Sequence, residues 1–137
     1  MDSYYNQKHT YDEIATLLEK IKGFINKGEF HIACNKNRKE NQGFLAEYRI
    51  NRKKQKYILM KIKTEDFCHS LQNTKIGHED EVLYVFVPQV KLYNAEGEEE
   101  AVDVYTKFNI IDKQSGGRVV VISFHKRNKP INYLFRQ

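Results

Sequence analysis

The sequence predicts an α+β fold, with helices first and a consecutive antiparallel β-sheet after them. In such a layer fold the N-terminal helices pack on one face of the sheet, and the other face stays open to solvent or a partner. Two observations predict it. A capped, amphipathic helix pattern stands near the N-terminus, and the chain from Glu81 onward is dominated by β-branched and aromatic residues. With 137 residues and no repeat or linker, residues 1–137 are expected to form a single domain.

Thr10-Tyr11-Asp12-Glu13 fits a capping box, a Thr N-cap with Glu three positions later. Ile14, Leu17, Leu18, Ile21 and Ile25 follow at helical spacing, and Lys27-Gly28 supplies the stop, so a helix is expected from Tyr11 to Asn26. Phe30 to Ala33 reads as a short strand, and Lys36 to Gly43 as a polar, basic loop. Gly43 to Ile62 predicts one or two short helices, although Tyr57, Ile58, Met60 and Ile62 equally suit a strand. Thr64-Glu65-Asp66-Phe67 resembles a helix start with Thr64 as cap, running to about Leu71. Residues 72–80 read as a polar loop, Glu81 to Leu92 as a strand, and the acidic stretch 94–100 as a hairpin tip.

Residues 101–126 predict an antiparallel hairpin, with β-rich runs either side of a Gly116-Gly117 turn. Side chains alternate along a strand, so Asp103, Tyr105 and Lys107 share one face, as do Ser123 and His125. A register pairing odd with odd positions gathers Tyr105, Lys107 and His125 on one surface, with Val104 and Phe108 packing beneath. Ile131 to Phe135 reads as a final edge strand.

Composition narrows the function classes. Hydrophobic content of 40% and charged content of 30% suit a globular protein and argue against disorder. No apolar run approaches a membrane span, and Met1 to Asn6 lacks the features of a secretory signal. The only cysteines, Cys34 and Cys68, form no zinc spacing, so a reduced, cytoplasmic protein without a bound metal is expected. No P-loop, dinucleotide-binding turn, His-Glu-x-x-His or G-x-S-x-G occurs. The net charge of +5 favours a polyanionic or acidic partner. Basic residues concentrate between 36 and 63, including Lys53, Lys54 and Lys56, although such a run also suits a solvated face.

Cationic and titratable groups on a rigid sheet suit RNA strand scission without a metal or other cofactor. There the neighbouring 2′-OH attacks phosphorus, which requires a base, an acid for the leaving 5′-oxygen, and cations for the charge on the phosphate. The candidate set is Tyr105, Lys107, His125, Lys126 and Arg127, joined by His69. His125 is a proton carrier, Lys107 and Lys126 stabilise the phosphate, Tyr105 positions the nucleotide, and His69 is a second proton carrier. The same residues also suit the wet side of an ordinary amphipathic hairpin. His31 and His78 have no partner identifiable in the sequence, His9 stands solvated before a helix cap, and all three read as structural. Cys68 reads as a small packed apolar group.

Thr-Glu-Asp-Phe-Cys-His-Ser-Leu at 64–71 resembles the Ser-Glu-x-Asp-Phe-x-x-Ser segment of MqsR-family toxins of bacterial type II toxin–antitoxin systems. The similarity continues through Tyr84-Val85-Phe86, Val104-Tyr105-Thr106-Lys107-Phe108 and Val121-Ile122-Ser123-Phe124-His125, in the same order. The resemblance implies a RelE-like fold, an mRNA interferase that cleaves mRNA and blocks translation, and a cognate antitoxin that neutralises it by binding. Tyr105 and Lys107 match the family's strand Tyr and Lys. Where the founding member has Lys after Ser-Phe, this chain has His125 and then Lys126; where it has Lys in the Asp-Phe block, this chain has His69. A family glutamine before Tyr-Val-Phe has no clear counterpart. RelE-like toxins differ in whether they need the ribosome, and the sequence leaves that open. The rival reading is a non-catalytic basic module that binds RNA or an acidic protein, for instance a phage or mobile-element inhibitor, through Lys53, Lys54 and Lys56.

Overall fold

The computed structural model describes residues 5–136. Most of Met1 to Asn6, read above as lacking a secretory signal, lies outside that range. The architecture is α+β: three helices and a mixed six-stranded sheet. Helix α1 (Tyr11–Asn26) forms as its sequence predicts. Thr10 Oγ1 accepts the Glu13 amide, and the Glu13 carboxylate accepts the Thr10 amide in return. Ile14, Leu18, Ile21 and Ile25 are buried against the sheet.

Strand β1 (Phe30–Ile32) leads into helix α2 (Lys39–Glu47), and helix α3 (Arg52–Met60) packs on α1. Asn51 caps α3 by accepting the Lys54 amide. The expected loop from Lys36 to Gly43 is thus replaced from Lys39 by α2. Its inward side is Asn41, Phe44 and Tyr48, and the polar Asn41 interrupts the apolar spacing that would have marked a helix.

The segment expected to be helical from Thr64 to Leu71 is also different. A single turn, Thr64–Asp66, gives way to strand β2 (Phe67–Gln72). The Asp66 carboxylate accepts the Lys63 amide at 2.7 Å, which closes that turn locally and ends it. Strands β3 (Val82–Phe86) and β4 (Gln89–Tyr93) replace the single strand expected from Glu81 to Leu92. Pro88 divides them, because it has no amide to give to a ladder. Strands β5 (Glu99–Lys113) and β6 (Gly116–Lys126) form the long hairpin. The turn is Gln114-Ser115, and the two glycines begin β6. Gly116 has φ +125°, and a Cβ on Gly117 would meet the Ile111 carbonyl at 2.7 Å and the Phe24 ring at 2.8 Å.

The strand order is β1-β6-β5-β3-β2, with β4 on the free half of β5. The pairs are antiparallel except β1 with β6, which run parallel, so the sheet is mixed rather than wholly antiparallel. Residues 131–135 form no strand; the Leu134 amide bonds Phe67 O, and Ile131 and Tyr133 pack on the sheet face away from the helices.

The sheet divides two apolar clusters. The larger, beneath the helices, includes Phe67, Phe86, Val104, Phe108 and Phe124, all fully buried. The smaller, on the opposite face, holds Cys68, Leu71, Leu83, Val85, Val87 and Tyr105. Tyr5 and the chain after Arg127 cover part of that second face and leave the rest open.

Candidate functional site

The hairpin register sets the site. Tyr105 pairs with His125 and Lys107 with Ser123, so all four side chains share the open face. The Tyr105 and His125 rings stack, with centroids 5.4 Å apart and planes 15° from parallel. Lys107 and His125 are diagonal neighbours, at a Cα separation of about 7–8 Å that long side chains bridge. The His125 Nδ1–H donates to Lys126 O at 2.8 Å, which fixes the tautomer and leaves Nε2 for a ligand.

Lys107 is partly buried, and among the described residues no carboxylate forms an ion pair with it. Burial pushes its ammonium pKa below the ordinary lysine value, and the cations Lys129 and Arg38 push it the same way. Lys129 also lies over the Tyr105 ring, 5.4 Å from its centroid. Three cations crowded together without an acid between them form a receptor for an anion.

Arg38 joins two clefts. One, of about 410 Å³, runs past Lys107 and Asn109 to Lys75 and His78. The other, of about 200 Å³, is bordered by Ser123 and His125. Arg38 stands at the start of α2, three residues before Asn41, which is fully buried. Strand β1 ends at Ile32, so β6 beyond that point has an unpaired edge, and Asn41 takes the place of the missing strand. Its Nδ2 donates to Ala33 O at 2.8 Å and to Ile122 O at 2.9 Å, while its Oδ1 accepts the Phe124 amide at 2.9 Å.

At the far end of the larger cleft, His78 Nδ1 donates to Glu81 Oε2 at 3.0 Å. Glu81 also accepts from Asn109 at 2.9 Å and Asn73 at 3.0 Å. These bonds, that from His78 foremost, hold the Glu81 carboxyl below its usual pKa.

The other sequence candidates lie elsewhere. His69 shares a cross-strand row with Val85, Lys107 and Ser123, two strands or about 10 Å from Lys107. It is buried and stacked on Tyr5, with ring centroids 3.9 Å apart. Lys126 faces the helices, where it pairs with Glu47 at 2.9 Å and lies over Tyr48; side-chain hydrogen bonding with Tyr48 foremost, then with Glu47, raises its pKa above the ordinary lysine value. That position separates it from the open face and from Lys107. Arg127 pairs with Asp103 at 3.2 Å beyond the end of β6. Lys53, Lys54 and Lys56 belong to α3 on the helix side of the sheet, and Lys56 donates to Asn26 O at the end of α1.

Sequence reasoning missed Arg38, Lys129 and the His78–Glu81 pair. The last left a trace, a histidine and a glutamate three apart in a polar loop, but its partner Asn109 is supplied by tertiary structure. Among the described residues no helix is long and apolar enough to cross a membrane. None of the His, Cys, Asp and Glu side chains described forms a group of three or more that could hold a metal ion. No family model matches the chain, and no curated protein or solved structure matches it.

Proposed function

We propose that the protein is an endoribonuclease of the mRNA interferase kind, with its site on the open sheet face. The observation that carries this reading is the desolvated, carboxylate-free Lys107, crowded by Arg38 and Lys129 beside a tautomerically fixed His125. A phosphodiester supplies the negative charge these cations lack. His125 Nε2 takes the proton of the 2′-OH, whose oxygen attacks phosphorus. Lys107 and Arg38 neutralise the developing phosphorane charge, and the buried Tyr105 ring, stacked on His125, holds that imidazole in place beside the nucleotide. The products are a 2′,3′-cyclic phosphate and a 5′-hydroxyl, and no metal takes part. Lys126 and Lys53, Lys54 and Lys56 stand outside this site.

The resemblance to MqsR-family toxins, including a RelE-like fold, supports the same activity, with cytoplasmic mRNA as substrate, free or on the ribosome, and a cognate antitoxin as partner. The test is inducible expression in bacteria of wild type, His125→Ala and Lys107→Ala, scoring growth and mapping RNA 5′ ends. Growth arrest with discrete new ends, lost in both variants at equal protein level, is expected. Well-folded wild type that produces neither arrest nor new ends refutes the reading and leaves RNA binding without cleavage.

A further inference from the structure

Ribonuclease chemistry of this kind needs a proton donor for the leaving 5′-oxygen as well as a base. His69, buried under Tyr5, does not line the cleft that holds Lys107. His78 does line it.

We propose that His78, held by Glu81, is the general acid of the site. The inference rests on the ribonuclease reading above. Three features support it. The 3.0 Å bond to Glu81 occupies Nδ1 and leaves Nε2 to meet a ligand. The ion pair with Glu81 exists only when His78 is protonated, and that is the form that donates. Glu81 is itself fixed by Asn73 and Asn109, so the imidazole is braced from the sheet as well as from its own loop.

Placement along β5 gives His78 and His125 opposite sides of the phosphate. Asn109, which holds Glu81, is two residues beyond Lys107; Tyr105, which stacks on His125, is two residues before it. Each step is about 7 Å along the strand. An RNA whose phosphate sits on Lys107 therefore runs towards His125 at one end of the cleft and towards His78, reached from Asn109 through Glu81, at the other. In the step, the P–O2′ bond forms as the P–O5′ bond breaks. The 2′-hydroxyl proton passes to His125, and the His78 Nε2 proton passes to the 5′-oxygen. Exchange with water restores both histidines.

The test compares purified wild type, His78→Gln and Glu81→Gln on a short RNA and on the same RNA with sulfur as the bridging 5′-atom. A thiolate leaves without a proton. His78→Gln should slow cleavage of ordinary RNA by about 100-fold and the sulfur substrate by far less, with RNA affinity unchanged. Glu81→Gln should show the same pattern more weakly. Wild-type rates in His78→Gln, or an equal loss on both substrates, overturns the assignment. If Lys107→Ala is inactive while His78→Gln cleaves normally, the ribonuclease reading stands and this inference falls. If wild type cleaves neither RNA, both fall.

Discussion

Replacing Asn41 by alanine removes the side chain that closes the β6 edge beyond β1. The Phe124 amide and the Ala33 and Ile122 carbonyls then lose their shared partner. At roughly 1 kcal/mol of net stability per hydrogen bond, the change costs about 3 kcal/mol. Water entering from the neighbouring cleft keeps the cost from rising to the full desolvation penalty of three groups. For 137 residues, with an unfolding entropy of about 2.1 cal/mol/K per residue, that corresponds to a fall in Tm of ~10 °C. Thermal unfolding followed by circular dichroism measures it, with exposed Asn37→Ala as control. Amide exchange adds a local readout: the Phe124 N–H should lose its protection well before the Phe108 N–H. A Tm within about 2 °C of wild type would refute the surrogate-strand reasoning. Asn41 and Arg38 both line the cleft bordered by Ser123 and His125, so the same variant should weaken RNA binding at temperatures where it is still folded.

Lys107→Met should abolish cleavage and raise Tm at neutral pH. A lysine whose native pKa is lowered is destabilising wherever it is charged in both states, so the gain is full below the lowered value. The gain should fade as pH rises towards the unfolded value near 10.5, and Tm measured across pH tests both sign and window. Arg38→Ala should weaken RNA binding and reduce its salt slope by about 1, whereas Lys126→Ala should leave both unchanged; titrations at several salt concentrations separate them. The Lys126–Glu47 pair is about half exposed, so its loss should also cost under ~1 kcal/mol in urea unfolding. In thiol labelling of the native protein, exposed Cys34 should react at once. Cys68, fully buried and with its pKa pushed up to about 12 by that burial, should react only on unfolding.

What was legible in the sequence was local. The Thr10–Glu13 capping box and the spacing of Ile14, Leu18, Ile21 and Ile25 lie within one helix, and α1 follows from them without reference to the rest of the chain. The hairpin was legible for the same reason, and so were Tyr105, Lys107 and His125 as neighbours. Strand β2 was hidden because Phe67 to Leu71 are all buried, so no alternation shows. Helix α2 was hidden because Asn41 faces inward. Arg38, Lys129 and His78 lie outside the strands and reach the open face through tertiary contacts, which no periodicity records.

The two register irregularities among the paired strands fall beside one row, His69–Val85–Lys107–Ser123. On β2 the extra residue is Cys68; on β6 it is Ile122. The second sets the site. From the turn, odd residues Val119 and Val121 face the helices opposite Ile110 and Phe108. The extra residue at Ile122 reverses the parity, so Phe124 enters the core while Ser123 and His125 emerge on the open face. A regular strand would put His125 under the helices and Phe124 in the cleft. The odd-with-odd pairing expected from sequence therefore holds only from Val104 to Lys107, and it holds there because of Ile122. Asn41 Nδ2 donates to the carbonyl of that same residue, so the bulge that turns His125 outward and the side chain that closes the β6 edge are joined at one peptide.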